Sequence, residues 1–172
     1  MSGPEFSRIV KVRPHPPEKL AISANAAELE ALAARFAIPA VTKLDAELAF
    51  IADGDAVTAK GRMVADLVQT CSVAGDDFPV RIDEPLDLRF VPEGSLDAGE
   101  EEIELASDGA DEIEYDGESF DAGEAVAQSL GLAIDPYAEG PTADAVRKEA
   151  GIIDEDSPKG ALAEALAKLK RD

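Results

Sequence analysis

Val41-Thr42-Lys43-Leu44-Asp45-Ala46-Glu47-Leu48-Ala49-Phe50, followed closely by Asp53-Gly54, reads as a half-buried β-strand running into a tight turn. Leu44, Ala46, Leu48 and Phe50 alternate with Asp45, Glu47 and Ala49, so apolar side chains leave the backbone on one side only. Asp53-Gly54 predicts a type I′ hairpin, in which both central residues reach positive φ. The next segment, Val57 to Cys71, alternates less cleanly. Ala59, Met63, Ala65 and Leu67 share one parity, and Val64 and Val68 take the other. A switch of face near Gly61 is expected from this, either as a bulge or as a strand covered on both sides. Gly75-Asp76 marks a second turn. Beyond it Phe78, Val80, Ile82, Leu86, Leu88 and Phe90 share a parity, with Asp83, Asp87 and Arg89 opposite. Pro85 predicts an edge position or a kink in that third strand. The three segments form an antiparallel meander with one apolar face, and helical patterns on either side make the fold class α+β.

Before the meander, Phe6 to Val12 has strand character and could add to the sheet edge. Pro14, Pro16 and Pro17 then impose a stiff connector, which leaves His15 a solvent-exposed bystander or a partner contact. Asn25 and Glu28 are spaced as a capping box for a helix carrying Leu29, Leu32, Ala33 and Phe36 on one stripe, with Pro39 at its exit. After the meander, Ile103, Leu105, Ile113 and Tyr115 alternate within an acidic run. Two short strands follow, near Glu102–Ala106 and Glu112–Tyr115, each with one acidic face. Ser119 to about Ile134 reads as a helix with Phe120, Gly123, Ala127, Leu130 and Ile134 on its stripe. Thr142 opens a short helix over Ala143 to Ala150, closed by Gly151. Ser157-Pro158 opens a last amphipathic helix carrying Leu162, Leu166 and Leu169, which either docks on the domain or serves a partner. The chain divides into an α+β domain, 1–138, and a helical tail, 139–172.

Lys+Arg number 16 against 37 Asp+Glu, a formal net charge of −21. That charge repels phosphate backbones and attracts cations, so a partner, if the charge serves one, is a basic protein or a basic assembly; acidity by itself is accounted for by a surface that keeps the protein soluble. The acidic face comprises Glu100, Glu101, Glu102, Glu104, Asp108, Asp111, Glu112 and Glu114. Arg8, Lys11, Arg13, Lys60 and Arg62 would form one basic patch if the first strand paired with the Gly61 strand. Aromatic residues are only 5% of the chain, so the core is built from Ala, Val, Leu and Ile.

Reactive chemistry is sparse. There is no Gly-rich phosphate loop, nucleophile elbow or Cys/His cluster. Asp108 to Asp121 lacks the Gly at the sixth position and the terminal bidentate Glu of an EF-hand loop, so no metal or other cofactor is expected. Cys71 reads as a small buried hydrophobe under the hairpin, with no basic neighbour in sequence to activate it. One cysteine cannot form an internal disulfide, and neither a leader nor a membrane span is read in the chain. The expectation is a cytoplasmic protein without membrane contact.

Gly61-Arg62-Met63-Val64-Ala65-Asp66-Leu67-Val68-Gln69-Thr70-Cys71, then a strand ending Leu88-Arg89-Phe90, resembles the core of the bacterial YceD family. Glu101-Glu102-Ile103-Glu104-Leu105 is similar too, as is the run from Ile113 to Val126. Leu130-Gly131-Leu132-Ala133-Ile134-Asp135-Pro136-Tyr137 resembles the α-proteobacterial branch. The resemblance covers about residues 5–138 and the tail. It implies a non-enzymatic factor in 23S rRNA accumulation and large-subunit biogenesis. The implied partner is a basic ribosomal protein or a pre-50S particle, with any rRNA contact indirect. No catalytic residue is carried over; Gly61 and Cys71 are the family-motif positions. Many members have Cys-x-x-Cys at the hairpin, where this chain has Cys71 and Ala74. Others carry a zinc-like cluster after the second helix, where this chain reads Ala138-Glu139-Gly140-Pro141, so zinc is not expected. The alternatives are a magnesium-dependent RNA-processing hydrolase built on Asp108 and Asp111, and a direct RNA binder using the basic patch.

Overall fold

Buried residues recur at every second position along much of three long strands in the computed structural model, which describes residues 3–95 and 110–152. These are β3 (Ala40–Asp53), β4 (Ala56–Thr70) and β5 (Asp77–Pro92). They sit centrally in a five-stranded sheet of order β2-β3-β4-β5-β6, with β2 at Lys19–Ser23 and β6 at Asp111–Tyr115. β2, β3 and β4 are antiparallel neighbours, whereas β6 runs parallel to β5. The fold is α+β, with a mostly antiparallel sheet.

The first turn differs from expectation. Asp53 pairs with Ala56, so the central residues are Gly54 and Asp55. Gly54 alone has positive φ, at 64°, and positive φ at the first central position only is the type II′ pattern. Nor does β4 switch faces at Gly61. Val57, Ala59, Met63, Ala65 and Leu67 are all buried on one side, and pairing with β3 runs through Leu48 opposite Gly61 without a shift. The bulge lies instead between Val41 and Lys43, where the Thr42 hydroxyl donates to the Asp66 carbonyl at 2.9 Å. Gly61 is required for another reason: a Cβ there would stand 1.8 Å from the Glu47 carbonyl oxygen of β3. Pro85 fits the edge reading, because β6 pairs with β5 only over Leu88–Pro92.

The N-terminal strand does not join the meander. β1 (Ile9–Lys11) pairs antiparallel with β7 (Ser119–Asp121) in a separate two-stranded sheet. Its place at the meander's edge is taken by β2, whose Leu20 and Ile22 alternate too briefly to announce a strand. β7 also shortens the helix expected from Ser119. α2 spans Ala122–Ala133, and Asp121 caps it by accepting from the Glu124 amide. Phe120 is thus a strand residue, stacked on Phe90 with ring centroids 3.9 Å apart.

α1 (Ala26–Phe36) opens with the expected capping box between Asn25 and Glu28. Leu32 and Ala33 of α1 join Ala125, Val126 and Leu130 of α2 in one core with the inner face of the sheet. The opposite face carries Lys60, Arg62, Asp83 and Asp87, linked by the cross-strand pairs Lys60–Asp87 and Arg62–Asp83. No helix among the described residues is long and apolar enough to cross a membrane.

Two compact units are distinguished. The first takes in the described residues up to Gln69 and those within Pro79–Pro136; the second takes in Thr70–Phe78 and the described residues from Tyr137 onward. The second contains the β4–β5 loop and α3 (Ala143–Glu149). Within it the Ser72 amide donates to the Ala138 carbonyl at 3.0 Å, and the Thr142 hydroxyl to Asp76 at 3.0 Å. The strand read near 102–106 and the last helix lie outside the described residues.

Candidate functional site

Of the acidic face, Glu100, Glu101, Glu102, Glu104 and Asp108 lie outside the described residues. The remaining three sit on β6 but do not share a side. Glu112 lies opposite Arg89 in the parallel pairing, with its carboxylate 3.9 Å from the guanidinium. Glu114 accepts from the Gly94 amide at 3.3 Å. Asp111 has the parity of Ile113 and Tyr115 and faces the helices. Tyr115 is buried and donates its hydroxyl to the Asp55 carbonyl, which ties β6 to the β3–β4 turn.

Four of the five basic residues are matched to carboxylates inside the chain. Arg8 clamps Glu28 through two contacts, 2.7 and 3.0 Å, donates to the carbonyls of Ser7 and Ser23, and covers the Phe6 ring at 4.5 Å. Its guanidinium holds the Glu28 carboxyl below its ordinary range. Arg13 pairs with Asp55 at 2.7 Å, Lys60 with Asp87 at 3.2 Å and Arg62 with Asp83. Lys11 is exposed, with no ion pair among the described residues. Because β1 pairs with β7 and not with β4, the condition for a joint patch is not met. Lys60 and Arg62 border a shallow depression of about 450 Å³ on the outer sheet face with Lys19, but Glu47 shares it, and Asp83 and Asp87 already bind its two β4 cations. Charge there is balanced.

Cys71 is buried at the start of the β4–β5 loop. Its sulfur accepts from the Ala74 amide at 3.3 Å. That contact, with amides of Gly140 and Val73, lowers the thiol pKa from its ordinary value, against the opposing effects of burial and Glu139. No cation is among the causes; the lowering comes from backbone amide dipoles. Gly140 adjoins Cys71: a Cβ at Gly140 would lie 3.5 Å from the Cys71 Cβ and 2.9 Å from the Phe78 ring. The two stretches where the resemblance places family cysteines are therefore in contact. The residues present do not fit zinc. One thiol stands where at least two thiolates are needed, and Ala74, Ala138 and Gly140 bring no ligating side chain. Among the described residues no three His, Cys, Asp or Glu side chains are placed to hold a metal ion.

A different feature lies on the helix side of the sheet, where β5 extends past its pairing with β6. Residues 84–88 of β5, Met63, Asp111 and the end of α2 enclose a groove of about 330 Å³. Met63, Leu86 and Leu88 are buried along it. Glu84 shares their parity, as does Asp111, which pairs opposite Leu88. Neither carboxylate is in an ion pair among the described residues. From α2 come Ser129, Ala133 and Leu132, the last 81% exposed. Neither Glu84 nor Leu132 is among the site residues expected from sequence. The available signal was a carboxylate on the apolar parity of β5, between Ile82 and Leu86, and a leucine off the buried stripe of α2. Compared with protein-family models, curated proteins and solved structures, the chain matches none of them.

Proposed function

We propose that this protein is a non-enzymatic factor in large-subunit biogenesis of the YceD kind, supporting 23S rRNA accumulation by holding a basic ribosomal protein or a precursor particle. The observation that carries this reading is the charge of −21 in a chain with one histidine and one cysteine. A nascent ribosomal protein is a cation that needs shielding until rRNA takes over, and an anionic surface supplies that shield at long range. The internal pairing of Arg8, Arg13, Lys60 and Arg62 also supports it over direct RNA binding, since each of those cations already has a carboxylate. The acting compartment in this reading is the cytoplasm.

The test is co-sedimentation with large-subunit precursors across a salt series, followed by identification of the proteins and RNA captured with the full chain. The expected result is association that weakens steadily as salt rises, with a basic ribosomal protein in the captured set. Association indifferent to salt, or none at low salt, overturns the reading.

A further inference from the structure

The groove between β5 and the end of α2 combines three properties that point to one kind of occupant. Its floor is apolar, from Met63, Leu86 and Leu88. Its edge holds the carboxylates of Glu84 and Asp111, and no Lys or Arg lines it. The helix bounding it ends at Ala133 with no basic residue in the last turn, so the negative end of the α2 dipole adds to the field instead of being neutralised. At the mouth stands Leu132, 81% exposed, a large apolar side chain on a helix whose other leucine, Leu130, is fully buried.

We propose that this groove binds a cationic segment of a partner protein, one presenting a large apolar side chain flanked by Lys or Arg. The apolar side chain is held between Leu132 and the Leu86 floor, and the flanking cations reach Glu84, Asp111 and the α2 carbonyl end. Burying a charge-bearing segment in such a slot is favourable only where opposite charge meets it, which rejects acidic segments and favours cationic over neutral ones. The inference rests on the reading that the protein holds a basic partner, and gives that partner a place.

The experiment titrates the full chain with fluorescein-labelled peptides of alternating Lys and Leu, of alternating Lys and Ser, and of alternating Glu and Leu, read by fluorescence anisotropy. The Lys-Leu peptide binds best and the Glu-Leu peptide does not bind. Leu132→Ser and the double variant Glu84→Gln/Asp111→Asn each weaken the Lys-Leu peptide about tenfold, a loss of about 1.4 kcal/mol. The charge-matched variant Glu30→Gln/Glu149→Gln leaves it unchanged. All the altered residues except Asp111 lie outside strand pairings with β6, and circular dichroism of each variant confirms its fold. If all variants bind alike, or if Lys-Ser binds as well as Lys-Leu, the groove is not the site while the basic-partner reading stands. If neither basic peptide nor the purified basic proteins of the large subunit bind at low salt, both fall.

Discussion

Gly61 occupies a position where β3 leaves no room for a side chain. A Cβ would approach the Glu47 carbonyl to 1.8 Å and the Leu48 Cα to 3.1 Å. These are backbone atoms in a paired ladder, so relief requires shifting a strand and not a rotamer. Gly61→Ala is expected to destabilise the protein by about 2–3 kcal/mol, read by urea denaturation, although alanine has the better intrinsic conformational entropy. Glu28 makes a pH-dependent contribution. Its carboxyl is held below its ordinary value near 4.5 by the Arg8 hydrogen bonds, with the Asn25 amide adding to this against desolvation. A lowered folded-state pKa stabilises above the unfolded value and is lost as pH falls through the folded one. Glu28→Gln therefore costs about 0.5–1 kcal/mol at neutral pH, after allowing for solvent screening. The difference from wild type shrinks toward zero below about pH 4, checked by denaturation at a series of pH values. The alternation in β4 was legible, but the reason for its glycine was not, because the blocking carbonyl belongs to another strand.

At the scale of elements, Phe120 joins the small β1–β7 sheet to the large one. It is 3% exposed, stacks on Phe90 and meets Phe50 and Tyr115 at tilted angles, with centroids 5.8 and 6.2 Å away. In a chain so poor in aromatic residues this cluster has no substitute. Phe120→Ala is expected to cost about 3–5 kcal/mol, seen as a lowered unfolding midpoint. The α1 capping box was readable from Asn25 and Glu28 because capping is local. Asn25→Ala removes the acceptor for the Glu28 amide and should cost about 1 kcal/mol by the same measurement. The start of α2 was not readable. Ser119–Asp121 fits a helical stripe, and becomes a strand only because β1, more than a hundred residues earlier, offers its edge. Arg35 adds a second link that sequence could not supply, with two hydrogen bonds of 2.9 and 2.8 Å from α1 to Glu124 of α2.

At the scale of the molecule, a charge of −21 works against compactness. The described ion pairs between β4 and β5 are mostly exposed and contribute little. Screening the like charges should outweigh weakening those pairs, so the thermal midpoint is expected to rise between about 0.01 and 0.5 M sodium chloride, where the screening length falls several-fold. A midpoint that drops with salt would show that attractive pairs dominate. The meander, its apolar face, the α1 cap and the acidic character were decided by the sequence itself, because period-2 alternation, capping spacing and net charge are properties of neighbouring residues or of composition. Only tertiary structure decided that β1 pairs with β7, that β6 runs parallel to β5, and that Asp111 comes to lie with Glu84 beside Leu132. Those outcomes depend on which edges and faces meet across long stretches of chain, where the entropy of closing the loop is repaid by contacts that no local pattern encodes.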